Sequence, residues 1–159
     1  MSFETVKEYF KNLGMEELVL HFDVSSATVE LAAEAVGVEP ARIAKTMSFL
    51  VGGEPILIVT AGDTKIDNPK YKQQFYEKAK MIPYVEVEEY VGHAPGGVCP
   101  FVIKDGVKVY LDESLKRFDT VYPAAGNDSS AVKLTIKQLE DTSGYSEWID
   151  VCKTAEPQQ

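Results

Sequence analysis

Apolar residues at the start of the chain recur at helical spacing. Phe3, Val6, Phe10 and Leu13 fall three and four apart on one face, with Ser2 as a cap before them and Gly14 as a stop after them. Residues 17–22 read as a short strand. Ser25 and Ser26 are N-cap candidates for a second helix that carries Val29, Leu31, Ala32, Ala35 and Val36 and stops at Gly37. The spacing then changes to that of strands. Residues 43–51 form one strand, Gly52-Gly53 a hairpin turn, and residues 56–61 a nearly continuous apolar run typical of a strand covered on both faces.

Asp67-Asn68-Pro69 marks a turn and a helix start, with that helix running to about Lys78. Residues 86–91 read as a short helix ending at Gly92. Residues 98–103 and 107–111 flank Asp105-Gly106 and predict a hairpin. Asp112 and Glu113 begin a helical turn. Two further strands, 120–125 and 131–134, surround the polar turn 126–129. A last helix covers 136–141, and 148–151 closes the sheet. These elements predict one mixed α/β domain over residues 1–152, built on one sheet or partly closed barrel. The polar tail 153–159 is expected to fray.

One residue breaks the pattern. Alternation along 43–51 places Ile43, Lys45, Met47, Phe49 and Val51 on one face, so Lys45 falls in an apolar row. An unpaired buried ammonium is costly. Two readings stand: a structural lysine that snorkels to the rim, or a cation held at a pocket mouth to meet an anion or a polarised carbonyl.

Composition narrows the class. At 159 residues, with 45% hydrophobic and 26% charged residues, the chain has the make-up of an ordinary globular domain. No apolar run approaches the roughly 20 residues of a membrane span, and no basic segment followed by an apolar run opens the chain. A cytoplasmic protein without membrane association is expected. Cys99 and Cys152 have no metal-ligand spacing and read as reduced thiols; His21 and His93 are too scattered for a metal site. A net charge of −9 argues against nonspecific binding to nucleic acid, DNA included. Residues 65–80 are locally basic, with Lys65, Lys70, Lys72, Lys78 and Lys80 against Asp67 and Glu77. This is either a solvated helix face or a small phosphate-contact patch.

Gly92-His93-Ala94-Pro95-Gly96-Gly97 is the second unusual segment. Glycines admit a close ligand approach to main-chain N–H groups, and proline stiffens the loop. It is either a plain connection or a nest for a phosphate or oxyanion. It is neither a Walker loop nor a dinucleotide fingerprint. Cys99, two residues beyond, is either a thiol nucleophile or a small core residue, and His93 is the nearby imidazole that would act as a base.

Taken in order, Ala32-Ala33-Glu34-Ala35-Val36-Gly37-Val38, Ile43-Ala44-Lys45-Thr46, the loop Gly92 to Gly97 with Val98-Cys99-Pro100-Phe101, Val109-Tyr110-Leu111-Asp112-Glu113-Ser114, and Ala125-Gly126 before Val132-Lys133-Leu134 resemble the YbaK/EbsC family. That family includes the free-standing relatives of the editing domain inserted in bacterial prolyl-tRNA synthetase. The resemblance runs from about residue 20 to 142. It implies a mixed, largely antiparallel, barrel-like sheet surrounded by helices. It implies hydrolysis, in trans, of the ester joining a wrong amino acid to a tRNA 3′ end, for example alanine or cysteine on tRNA(Pro). The family's lysine would be Lys45, and its Gly-x-x-Pro-Gly loop Gly92, Pro95 and Gly96, with His93 and Ala94 at the variable positions and Gly97 following.

By the same resemblance Lys45 would hold the terminal phosphate or ester carbonyl, and Gly96 and the loop N–H groups would face the adenosine or oxyanion. Thr46, Met47 and Phe22 would border the amino-acid pocket. Asp128 stands in the turn where some relatives carry a residue used in substrate choice. The expected partners are the acceptor end of aminoacyl-tRNA and an aminoacyl-tRNA synthetase; no metal or organic cofactor is implied. A noncatalytic module that holds a tRNA end or nucleotide in the same pocket is the competing reading.

Overall fold

The computed structural model describes residues 2–155. Five α-helices surround a curled six-stranded sheet, with two short two-stranded ribbons at its margins. Helix α1, Ser2–Asn12, buries Val6 and Phe10 as its spacing predicts. Strand β1, Val19–His21, is followed by α2, Val29–Val36, which ends on a left-handed Gly37. The cap of α2 is Thr28, whose hydroxyl accepts from the Leu31 amide. Ser25 and Ser26 precede it in other roles: Ser25 Oγ accepts from the Ala27 amide, and Ser26 bonds to the backbone of Ser130.

Strand β2, Ile43–Val51, pairs antiparallel with β3, Glu54–Ala61, through the Gly52-Gly53 turn. Both faces of β3 are covered. On one side Leu57, Val59 and Ala61 pack with Val6, Phe10 and Leu139. On the other Ile56 and Ile58 pack with Phe49 and Tyr71. Next come β4, Thr64–Ile66, and α3, Asn68–Phe75, capped by Asp67. Helix α3 stops three residues before Lys78, because Tyr76 adopts a left-handed conformation. Helix α4, Val87–Val91, closes on Gly92.

The hairpin expected at Asp105-Gly106 does not form. Residues 98–103 are irregular: Pro100 supplies no amide, and Val102 takes a positive φ of 51°. Their apolar character reflects burial, since Cys99 and Phe101 belong to the core. Strand β5, Lys108–Asp112, instead pairs parallel with β3. A 3-10 turn, Glu113–Arg117, follows it, with Asp112 accepting from the Ser114 amide. Strand β6, Thr120–Pro123, pairs parallel with β2. The region read as one strand at 131–134 is two: β7, Ser130–Val132, pairs with β1, and β8, Leu134–Thr135, with β6. Helix α5, Ile136–Ser143, begins with a Thr135–Gln138 capping box. Strand β9, Glu147–Ile149, closes the sheet beside β5.

The tail does not fray at Lys153. Strand β10, Cys152–Thr154, pairs antiparallel with β4, and the Ala155 amide donates to the Asp63 carbonyl at 2.8 Å. The remainder of the expected tail, 156–159, lies outside the described residues. Among the described residues no helix is long and apolar enough to cross a membrane.

Candidate functional site

A cleft opens where β2 runs out of neighbours. Along its outer edge β2 pairs with β6 only at Ile43 and Ala44. Further on, segment 80–82 takes over: the Leu50 amide donates to the Lys80 carbonyl at 2.9 Å, and the Ile82 amide to the Ser48 carbonyl at 3.1 Å. Between these two contacts the edge at Lys45, Thr46 and Met47 is bare, and a cleft of about 590 Å³ occupies the gap. That volume suits a small ligand or one end of a larger one. Ser48 and Leu50 turn those backbone groups away from β3, so the period of two turns the amide and carbonyl of Thr46 the same way, into the cleft.

Lys45 sits on this wall, half-buried. Its Nζ donates to the Thr64 carbonyl at the end of the β3–β4 turn. That turn is itself fixed, because Thr64 Oγ1 donates to the Ala61 carbonyl at 2.7 Å. Burial pulls the Lys45 ammonium below its ordinary pKa, while nearby Cys152, Asp63 and Glu30 oppose the shift. The Asp63 carboxyl is held below the usual carboxylate range first by its hydrogen bonds to Arg117, at 2.6 and 3.0 Å. Asp63 is thus already committed to a guanidinium, and Lys45 keeps an ammonium whose described partner is a neutral carbonyl.

Two buried hydroxyls on the cleft wall, Thr46 Oγ1 and Ser130 Oγ, have no hydrogen-bond partner among the described residues. Such groups are costly unless something meets them. Ser130 was invisible in the sequence: the pairing of β7 with β1, and the bond of its amide to Ser26 Oγ at 3.1 Å, bring it to the cleft. The exposed Met81 and Tyr84 form a lip that periodicity could not have found.

The glycine loop divides in two. Pro95 and Gly96 line the cleft, so the structure brings Lys45, Thr46, Met47, Pro95 and Gly96 together. Ala94, Gly97 and Asp128, together with Pro95 again, line a second depression, where they meet the start of α1. Gly92 caps α4, and Phe22 lies off the cleft wall with its amide bonded to the Ser129 carbonyl. The loop turns tightly, with the Gly97 amide donating to the Ala94 carbonyl at 3.1 Å.

His93 is not at the surface of the site. It is 1% exposed, and its Nε2 lies 2.6 Å from the Phe101 carbonyl oxygen. Burial lowers its pKa, so the ring is a neutral core imidazole that braces the loop from behind. Cys99 is fully buried beside it, Sγ 3.5 Å from His93 Nε2, and burial pushes its thiol up to about 12. A thiol in that state is a poor nucleophile. Cys99→Ala should therefore leave any activity of the cleft within about two-fold, and iodoacetamide should not inactivate the native protein. Steady-state rates before and after alkylation check both, and inactivation by the reagent would return the thiol to the chemistry.

The basic segment 65–80 is also split by the fold. Lys65 lies on β4, Lys70 and Lys72 on α3, and Lys78 and Lys80 in the stretch leading to the lip. Lys70 is taken up by Asp150 at 3.0 Å.

Residues 23–142 match the sequence profile of a family described as the aminoacyl-tRNA editing domain. The uncharacterized protein YwhH of Bacillus subtilis (strain 168) is 52% identical over 154 residues, which cover 96% of this chain and 98% of YwhH. The proline–tRNA ligase of Limosilactobacillus fermentum is 28% identical over 125 residues; these cover 74% of this chain but only 22% of the ligase, so the likeness is to one part of that enzyme. The crystal structure of a candidate trans-editing enzyme for prolyl-tRNA synthetase superposes with a TM-score of 0.84 at 27% identity, covering 96% of this chain and 97% of that one.

Proposed function

The chain belongs to the aminoacyl-tRNA editing domain family, and from that premise we infer that it is a hydrolase acting in trans on tRNA(Pro) that carries a small wrong amino acid such as alanine or cysteine. The observation that carries this reading is the ammonium of Lys45 on the bare edge of β2, beside a loop segment that supplies Gly96. The likeness to a candidate trans-editing enzyme supports action in trans, and the likeness to part of a proline–tRNA ligase supports the choice of tRNA.

An aminoacyl ester is already activated, so catalysis needs position and charge stabilisation more than a strong base. Water, or a hydroxyl or thiol of the substrate, adds to the ester carbonyl carbon. Negative charge then develops on the carbonyl oxygen, and Lys45 with the Thr46 amide meets it from the β2 edge. The carbon–oxygen bond to the ribose breaks and the ribose oxygen takes the proton lost by the nucleophile; with water the free amino acid leaves, and with the substrate's own hydroxyl or thiol it leaves as a lactone or thiolactone that water then opens. Ser130 Oγ and Thr46 Oγ1 gain partners from the ribose or the α-amino group. Met47 bounds the amino-acid side chain, and Gly96 with Pro95 supplies a further part of the cleft wall. Pocket size alone separates side chains differing by a methylene by only about 1–3 kcal/mol, which is why a second site for small residues is useful to a synthetase.

One observation favours a second reading, a noncatalytic module that holds a tRNA end. Among the described residues lining the cleft there is no carboxylate, imidazole or thiol to serve as a base. A panel of tRNAs mischarged with alanine, cysteine and serine separates the two readings. Release of one amino acid at a rate well above spontaneous hydrolysis is expected. Binding of the same tRNAs without release of any would leave the binding module.

A further inference from the structure

Two lysines face each other across the ribbon formed by β4 and β10. Lys65 and Lys153 are direct partners in the antiparallel register, and both are exposed. Side chains so placed have Cβ atoms about 4.5–5.5 Å apart, where like charges destabilise the pair. Among the described residues neither ammonium is in an ion pair. Of the described carboxylates close to them in the chain, Asp63 pairs with Arg117 and Asp150 with Lys70, and Asp67 caps α3. In a chain of net charge −9, a point where two cations are held together against their own repulsion calls for an anion from outside.

The ribbon is also joined to the cleft. Thr64, the residue before Lys65, has the carbonyl that accepts from Lys45, and the Ala155 amide ties the strand after Lys153 to Asp63. Strand β10 lies beyond residues 23–142, where the family profile matches. The pair therefore joins Lys65, inside the matched region, to Lys153, outside it.

We propose that Lys65 and Lys153 form a phosphate-binding site for the backbone of a tRNA whose 3′ end enters the cleft. This rests on the reading of the cleft as an acceptor-end site. Ammonium groups bind phosphate as point charges without reading sequence, which suits contact with the strand backbone. The pair anchors phosphodiesters outside the cleft while Lys45 works inside it.

The test uses uncharged tRNA and the full chain, so that it does not depend on hydrolysis. Dissociation constants are measured across salt concentrations for wild type, for Lys65→Gln with Lys153→Gln, and for Lys7→Gln with Lys11→Gln on α1 as the control. Each lost phosphate contact lowers the slope of log affinity against log salt by about 0.7–0.9. The ribbon variant should flatten it by about 1.5 and bind several-fold more weakly, while the control keeps the wild-type slope.

Lys153→Glu adds a readout of opposite sign: an ion pair with Lys65 should raise Tm while tRNA binding weakens. An unchanged slope in the ribbon variant, or an equal loss in the control, overturns the proposal. Hydrolysis with an unchanged slope rejects the phosphate site alone. A flattened slope in a protein that hydrolyses nothing rejects the editing reading and supports the site.

Discussion

Lys45→Ala is expected to lower the turnover of a mischarged tRNA by about 100-fold or more, the usual cost of removing one group that stabilises charge in a transition state. The same change should not unfold the protein. The aliphatic stem of Lys45 packs in a half-buried position, and its amine bonds to one backbone carbonyl that can turn to water. Loss of a desolvated cation offsets part of the lost packing. Turnover and circular dichroism measured on the same preparation give the result, and a variant that retains wild-type turnover would remove Lys45 from the chemistry.

The pH dependence gives a second signature, of opposite sign in activity and in stability. Burial depresses the Lys45 pKa in the folded state, so between that lowered value and the ordinary lysine value of 10.5 the unfolded chain binds more protons than the folded one. In that window the contribution of Lys45 to stability rises with pH. A cationic role requires the reverse of activity, which should fall as the ammonium deprotonates through its lowered pKa. Rate and denaturant midpoint, each followed from neutral to alkaline pH in wild type and Lys45→Ala, separate this group from the other bases.

The second large effect is expected at Gly97. A Cβ built there would stand 2.6 Å from the Cα and amide nitrogen of Asn127 and from the carbonyl carbon of Gly126. These are backbone atoms and cannot rotate away, so Gly97→Ala must push the loop off the 126–128 turn. The cost is about 3 kcal/mol, at the upper end for overpacking, which for a chain of this size lowers Tm by roughly 6–12 °C. Activity should fall further than the unfolded fraction explains, because Pro95 and Gly96 move with the loop. At Gly96 the obstacle is different. An added Cβ meets only side-chain carbons, of Asp128 and Ala27, at 3.6 and 3.8 Å, and the strain comes from a φ of 93°. Gly96→Ala should be the milder of the two in a thermal melt, and the reverse order would show that conformation, not close approach, limits this loop.

Elements with their own local signals were legible in the sequence. The strand 43–51 announced itself by alternation, and its misplaced lysine is the group that marks the cleft. The Gly52-Gly53 turn, the Asp67 cap and the start of α5 rest on neighbouring residues and could be read from them. What escaped depends on distant partners. Thr64-Lys65-Ile66 and Cys152-Lys153-Thr154 are too short to show a period and are strands only because they meet. Residues 98–103 look like a strand because they are apolar, yet they are apolar because Cys99 and Phe101 fill the core. His93 sits in a segment that borders the cleft, but whether its ring points out or in is set by the Phe101 carbonyl behind it. Ser130 owes its place to β1, far earlier in the chain.

The clamp on Lys45 has a consequence in time. The carbonyl that steadies its amine belongs to a ribbon whose second strand ends at Thr154, 109 residues after the lysine itself. During synthesis the N-terminal part can begin to collapse as it emerges, but β4 has no mate until the ribosome has released Thr154. A nascent chain lacking those residues keeps the local Thr64–Ala61 bond but not the ribbon, so the second support of the Lys45 clamp is added long after the lysine itself is made.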